Sequence, residues 1–490
     1  MQKLSLWEKF SEPTEIQSIE NALPRKKYSS VSKHLNTEIL VIGAGLAGIL
    51  TAYRLQEKGH RVIIVDAAEA GSGQTKNTTA KITLQHGFFY SDLISDIGET
   101  ASRLYAEAHK NAIEEYARLV KDFSISCDFE RESAYLYSTL SDEKILSEYE
   151  AARKLDIPCE LTTETSLPFS IVSALRFPEQ AQFHPLKFLR VLAAKLELYE
   201  NSKVLDVTLN KNENGETQTS CAQIESSHGS FIIEAEKIIF ACHFPFLNIP
   251  GYYFARMHQE RSYVLALSGI LDESGIYQNG PKAGTPFKGM YYCIDEDTFS
   301  FRRAGSYLLL GGGNHRTGSH PGESQYEMLK TAASQFFPQA NAAFCWSAQD
   351  CMTGDLIPYI GPFSSDTPDW YVITGFKKWG MTSSMVAAGI LPDLIEKRSN
   401  PYFAVFSPQR HNLSGELKAM LTEGYEASKG LLKSTADLLL SPYEKKRCRH
   451  LGCKLTYNQD EDSFDCPCHG SRFAKDGKVL DGPAQEDLRL

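Results

Sequence analysis

The residues best equipped for chemistry lie near the end of this chain of 490, in CRHLGCKLTYNQDEDSFDCPCHGSRF, Cys448 to Phe473. The stretch reads Cys-x-His, fifteen residues, then Cys-x-x-His, which sets Cys448, His450, Cys466 and His469 in one spacing scheme. Two thiolates and two imidazoles suit a tetrahedral zinc ion. They equally suit a [2Fe–2S] cluster in which two histidines replace two cysteines on one iron. Two further cysteines fall inside the pattern: Cys453, three residues after His450, and Cys468, between Cys466 and His469.

A second chemical motif lies at the front. TEILVIGAGLAGILTAYRLQEKGHRVIIVDA, Thr37 to Ala67, reads as strand, tight turn, helix and strand. Gly43, Gly45 and Gly48 are spaced G-x-G-x-x-G at the strand end. Gly43 permits the turn, Gly45 lets a pyrophosphate approach the backbone, and Gly48 packs the helix on the strand. The free N–H groups of the helix start face the phosphates. Asp66, eighteen residues past Gly48 at the next strand end, is placed to accept a hydrogen bond from a ribose hydroxyl. The unit predicts dinucleotide binding.

Around these motifs the chain has ordinary globular composition, 42% hydrophobic and 23% charged. Its length calls for two or three domains. A net charge of −10 argues against nucleic acid or an anionic membrane surface as partner. No apolar run reaches the roughly 20 residues of a membrane helix. The start, MQKLSLWEKFSEPTEIQ, carries acids and no apolar core, unlike a secretory signal, so a cytoplasmic location is expected. The seven cysteines outside the tail stand singly and read as small buried side chains.

GSGQTKNTTAKITLQHG, Gly71 to Gly87, resembles the loop that crosses the flavin in the glycine/D-amino-acid oxidase superfamily. Further matches follow in that superfamily's order: FPEQAQFHPLKFLRVL from Phe177, FIIEAEKIIFACHFPF from Phe231, and DLIPYIGP with WYVITGFKKWGMTSSMVAAGILPDLI between Asp355 and Ile395. The resemblance implies FAD as cofactor, with Thr79, Lys81, Asp355, Gly380 and Met381 beside it. It also implies a helix starting at Gly380 whose N-terminus faces the flavin. LLLGGGNHRTG, Leu308 to Gly318, lacks the spacing and following helix of a second dinucleotide site, so electrons are expected from an organic substrate.

In the tail, CRHLGC and CPCHGS resemble the two boxes of Rieske proteins. That resemblance implies a [2Fe–2S] cluster on Cys448, His450, Cys466 and His469, and a disulfide between Cys453 and Cys468. Two departures stand out. The base strands before the first box are missing, since Glu416 to Arg447 reads as an amphipathic helix leading straight into Cys448. By the same resemblance Phe473 occupies the place of a tyrosine donor, two residues after the matching Ser471, and the lost donor is expected to lower the cluster potential. A Rieske oxygenase would also need a mononuclear iron site, and the nearest local pair, His315 and His320, has no neighbouring acid ligand.

The whole resembles a group of bacterial FAD-dependent oxidoreductases with a C-terminal Rieske module. The expected fold is α/β (α+β): a Rossmann-like FAD-binding domain with an interleaved antiparallel substrate sheet, plus a small Rieske-type β lobe. Residues 1–415 would form the oxidoreductase body, with FAD-binding segments near 36–90 and 350–400 and the substrate domain mainly from 90–350. A helical connector spans 416–440, and 441–490 forms a truncated Rieske domain. The expected reaction is oxidation of a small amine, N-methylated amine or amino acid by hydride transfer to FAD. Electrons then pass singly through the cluster to an acceptor protein or quinone. The alternative is a non-catalytic redox sensor or electron-transfer flavoprotein. Lys81, His86 and Lys378 are the catalytic candidates: the first two lie on the flavin-crossing loop, and Lys378 lies beside the flavin N1 edge by the superfamily pattern. Arg302, Tyr263 and His315 read as sheet residues. Cys351 resembles a covalent flavin attachment site but stands too near Asp355 for that pattern. The imidazoles of His450 and His469 should form the exposed edge of the cluster lobe, docked on the chain's own body.

Overall fold

The computed structural model describes residues 1–9, 26–211, 217–295, 299–319, 322–410 and 446–489. Its front half is built on β-branched runs. Leu35–Ile42 and Val62–Val65 pair in parallel, Ile42 opposite Val65, and all four residues of the second strand are buried. A strand covered on both faces must be apolar throughout, which explains these unbroken runs. Across this sheet the order is Tyr359–Ser364, Thr367–Thr374, Gly229–Phe240, Leu35–Ile42, Val62–Val65 and Glu197–Tyr199. Strands from the front and the back of the sequence thus share one sheet, joined through the parallel strand Gly229–Phe240.

The helix Leu46–Glu57 covers one face, packed against Gly380–Ile395. Both helices are apolar around nearly their whole circumference, as helices buried on all sides must be. The second large sheet is mainly antiparallel. From one edge it runs Gln2–Lys3, Asn341–Thr353, Met257–Ser268, Tyr307–Arg316, Ser300–Ala304, Met290–Cys293, Glu130–Ser138, Ser173–Gln182 and Lys81–Ile82. Residues 308–316 form most of the strand Tyr307–Arg316 in this sheet, and among the described residues no helix follows them directly as a dinucleotide turn would need. The first residues were not read as part of this sheet, yet Gln2–Lys3 forms its edge strand, parallel to Asn341–Thr353.

The tail folds as an antiparallel four-stranded meander of Thr456–Asn458, Ser463–Asp465, Arg472–Ala474 and Val479–Asp481. It has its own small core of Leu455, Phe464, Phe473 and Leu488. The fold class is the expected one: a Rossmann-like half, an interleaved antiparallel sheet and a small β lobe. The helical connector expected at 416–440 lies outside the described residues. One local expectation is corrected: Arg447 forms an antiparallel bridge with Lys454, so extended chain rather than helix enters Cys448.

The glycine turn is tight. A Cβ on Gly48 would stand 1.9 Å from the Gly43 carbonyl oxygen, and one on Gly43 (φ 112°) 2.5 Å from that of Ala241. Alanine at 48 gains up to about 1 kcal/mol of helix propensity. A backbone clash in a packed core costs about 1–3 kcal/mol and decides the sign. Gly48→Ala should therefore destabilise the protein by about 1–2 kcal/mol net and lower its FAD content. Denaturant unfolding and flavin absorbance of the purified variant check both.

Candidate active site and cluster lobe

The C-terminal ends of the parallel strands open into one cavity of about 990 Å³. Gly43, Gly45, Leu46 and Ala47 line it at the helix start. A Cβ on Gly45 would meet only Thr75 Oγ1, at 3.5 Å, so the space above this turn is open to a ligand backbone. Leu46 N–H donates to Thr75 Oγ1 at 3.0 Å, a contact the sequence motif did not signal. Asp66 also lines the cavity. Its carboxylate accepts from Ala44 N–H at 2.6 Å and Ala68 N–H at 2.8 Å, which locks the turn and leaves lone pairs for a hydroxyl donor. Burial nevertheless lifts this carboxyl above its ordinary range.

Thr79, Lys81, Gly380 and Met381 line the same cavity. Lys81 Nζ lies 3.3 Å from Thr79 Oγ1, and burial followed by repulsion from Arg302 holds its ammonium down to about 7. Arg302 is a positioning residue: its guanidinium donates to the carbonyls of Thr79 at 2.7 Å and Ala80 at 2.8 Å. Lys378 lines the cavity too, with Nζ 3.2 Å from Glu260 Oε2 and 3.6 Å from Asp350 Oδ2. Burial disfavours this ammonium, but the two carboxylates outweigh it and raise its pKa. The neighbouring Lys377 was not singled out from sequence. Burial brings its ammonium to about 7, over the Phe89 ring at 3.8 Å.

Two expected cavity residues lie elsewhere. His86 is 4% exposed, hydrogen-bonded through Nδ1 to Tyr105 Oη at 2.8 Å and through Nε2 to the Thr83 carbonyl at 2.9 Å. Its ring stacks on Trp379, which lines the cavity in its place. Asp355 is taken by Arg410, which donates to both carboxylate oxygens at 2.6 Å. Here it anchors the chain after the helix Phe403–Phe406 and does not reach the cavity. Cys351 is buried outside the lining, its thiol 3.4 Å from the His243 carbonyl.

In the tail the four spaced residues come together in pairs. The Cys448 and Cys466 thiols act on each other: Cys466, helped by backbone N–H groups, holds Cys448 below its ordinary value, while Cys448 and burial push Cys466 up. Cys466 N–H donates to the Ser471 carbonyl at 2.8 Å. The rings of His450 and His469 lie 5.0 Å apart. Cys453 and Cys468 form a disulfide that ties the two loops together. The sulfurs of Cys453, Cys466 and Cys468 lie within 4.8 Å of one another, but two of them are bonded to each other and so are not free thiolates.

The imidazole edge is not exposed, contrary to expectation. His469 is 3% exposed and His450 is half-buried, because the body's loop 241–256 covers them. Phe254 stands 5.7 Å from the His469 ring and 6.2 Å from that of His450. His450 Nε2 meets Asn248 Oδ1 at 2.6 Å, while its buried Nδ1 has no hydrogen-bond partner. A neutral imidazole donating through Nε2 presents the Nδ1 lone pair inward, as a metal ligand must. The lobe docks on the antiparallel sheet through Gln259, whose Nε2 donates to the carbonyls of His469 at 2.7 Å and Gly482 at 3.0 Å. Gln349 Nε2 donates to the Gly470 carbonyl at 2.8 Å.

The FAD dependent oxidoreductase (DAO) family model matches residues 38–394. The chain belongs to this family. The Rieske [2Fe-2S] domain model matches residues 444–490, and FAD and a [2Fe–2S] cluster are accordingly the cofactors of this oxidoreductase. YhfW of Bacillus subtilis (strain 168), whose name is that of a Rieske 2Fe-2S iron-sulfur protein, is 35% identical over 94% of this chain and 94% of its own length. The cytochrome b6-f complex iron-sulfur subunit of Synechococcus sp. (strain JA-3-3Ab) is 54% identical over 43 residues, 9% of this chain and 25% of that protein. Among solved structures, glycine oxidase from Geobacillus kaustophilus shares the fold at TM-score 0.60 and 18% identity, over 77% of this chain and 99% of that one. L-proline dehydrogenase from P. horikoshii matches equally, at TM-score 0.60 and 17% identity, over 77% of this chain and 98% of that one. Among the described residues no helix is long and apolar enough to cross a membrane.

The ion pair at the cavity carries a pH signature. Burial alone would raise the Glu260 carboxyl, but His258 and Lys378 outweigh it and hold it at about 2 against an ordinary 4.5. A depressed carboxyl contributes stability that is complete above 4.5 and lost as pH falls toward 2. Lys378→Met should flatten that acid limb. Unfolding free energies from pH 7 to 2 for both proteins check this; superimposable curves would show that Lys378 does not hold Glu260.

Proposed function

We propose that this oxidoreductase oxidises a small amine, N-methylated amine or amino acid in the cytoplasm and passes electrons to an acceptor protein or quinone. The observation that carries the reading is the continuous cavity, which runs from the dinucleotide turn to a polar pocket containing Asp350, Lys378, Tyr292 and Trp346. When bound, FAD supplies hydride acceptance and the cluster supplies one-electron relay. Gly43, Gly45, Gly48 and Asp66 hold the nucleotide; Thr79, Lys81, Gly380 and Met381 border the flavin. Cys448, His450, Cys466 and His469 are the cluster ligands, and the Cys453–Cys468 disulfide holds their loops in register.

An amine must be neutral before its α-C–H is broken, so the pocket needs a proton acceptor. Asp350 is placed for this, its carboxyl raised by burial against the pull of Lys378. Lys378 supplies positive charge where electrons arrive. His86 acts at one remove, by holding Trp379. The similarity in fold to amine-oxidising enzymes supports the substrate class. The seven cysteines outside the tail are all free thiols, which supports a reducing compartment.

An anaerobic screen of small amines and amino acids tests the reading. One or more should bleach the flavin band, and His469→Cys should leave that bleaching intact while slowing reduction of an external acceptor about tenfold or more. If no amine bleaches the flavin while a reduced ferredoxin does, the substrate reading falls. If turnover with the acceptor survives loss of the cluster, the relay role falls.

A further inference from the structure

The cavity is not walled by the oxidoreductase body alone. Val479, Asp481, Gly482, Ala484, Gln485 and Asp487, all from the cluster lobe, line it together with Asp66, Ser202, Lys203 and Val204. Two contacts show which end they cover. Lys203 Nζ donates to the Gln485 carbonyl, and the adjacent Ser202 N–H donates to the Asp66 carbonyl at 2.8 Å. Gln74 Nε2 reaches Asp481 Oδ1 at 3.4 Å, and its neighbour Thr75 accepts the first helical N–H at Leu46. The lobe therefore sits against both the acid expected at the ribose and the turn expected at the phosphates.

We propose that the cluster lobe is a structural part of the FAD site: segment 479–487 forms the outer wall over the nucleotide end, so FAD is retained only while the lobe is docked. The segment is held from behind by Gln259, whose side chain donates to the Gly482 and His469 carbonyls and does not itself line the cavity. One side chain thus secures the wall of one cofactor site and the ligand loop of the other. Losing one such hydrogen bond, about 1–1.5 kcal/mol, is worth roughly a tenfold change in an equilibrium.

Gln259→Leu in the full-length holoprotein tests this. FAD release, read as the rise of free-flavin fluorescence after dilution, should quicken about tenfold while the bound flavin spectrum stays normal at saturating FAD. Release at the wild-type rate overturns the proposal. Should the variant not fold, hydrogen exchange of the unaltered protein decides: adding FAD to flavin-stripped protein should protect amides 479–487 more than those of Thr456–Asn458. Equal or absent protection overturns it. Neither readout involves turnover, so failure here is distinct from failure of the amine reading.

Discussion

The guanidinium of Arg261 has 1% of its surface exposed, and the carboxylate that pairs with it comes from the cluster lobe. Arg261 sits on the strand Met257–Ser268 of the antiparallel sheet, and its NH2 lies 2.9 Å from Glu461 Oε2. Glu461 also accepts from Ser347 Oγ at 2.5 Å and Tyr326 Oη at 2.8 Å. Such a pair adds little net stability over apolar packing, yet stranding one partner costs about 3–5 kcal/mol. Its effect is to fix register. The lobe is obliged to sit where Glu461 finds Arg261, and the part of the cavity wall it supplies depends on that placement.

The same strand explains how one contact organises the rest. Gln259, Arg261 and Tyr263 alternate along it and so share one face. On the neighbouring strand Gln349 and Ser347 stand directly opposite Arg261 and Tyr263. The resulting buried polar patch grips Glu461 and the His469–Gly470 backbone at once. The fit leaves no slack: a Cβ on Gly318 would stand 2.4 Å from Pro467 N, and one on Gly470 2.6 Å from Gln259 Cβ. Lobe and body meet backbone to backbone at Gly318 and backbone to side chain at Gly470, with no water-sized gap at either point.

Sequence reasoning saw what local chemistry dictates. The glycine turn, Asp66 and the paired Cys/His boxes are each contained in a few consecutive residues, where spacing alone constrains geometry. It did not see the docking patch, because HQERSY at 258–263 is polar on both faces of its strand and offers no side preference. Asp355 was misplaced for a related reason: a carboxylate's partner is invisible when it lies 55 residues away, at Arg410. His86 lies on the right loop, but Trp379 stacks on it at 5.0 Å between centroids and takes the place at the cavity. Long-range side-chain pairing, rather than fold, is what a single sequence conceals.

The buried imidazole edge follows from the same docking and changes how the two cofactor sites relate. One loop, after the central strand Gly229–Phe240, serves both. Cys242, His243, Phe244 and Phe246 line the cavity, while Asn248 and Phe254 a few residues on cover His450 and His469. A freely swinging lobe would expose its imidazoles to a partner and could not use this loop as common ground. Here the loop sets Asn248 against His450 Nε2 and Phe254 against both imidazole rings, while its earlier residues line the cavity. The histidine edge therefore faces inward, onto the loop that also lines the cavity. The imidazoles thus lie at the junction of lobe and body, and one loop ties them to the wall of the cavity.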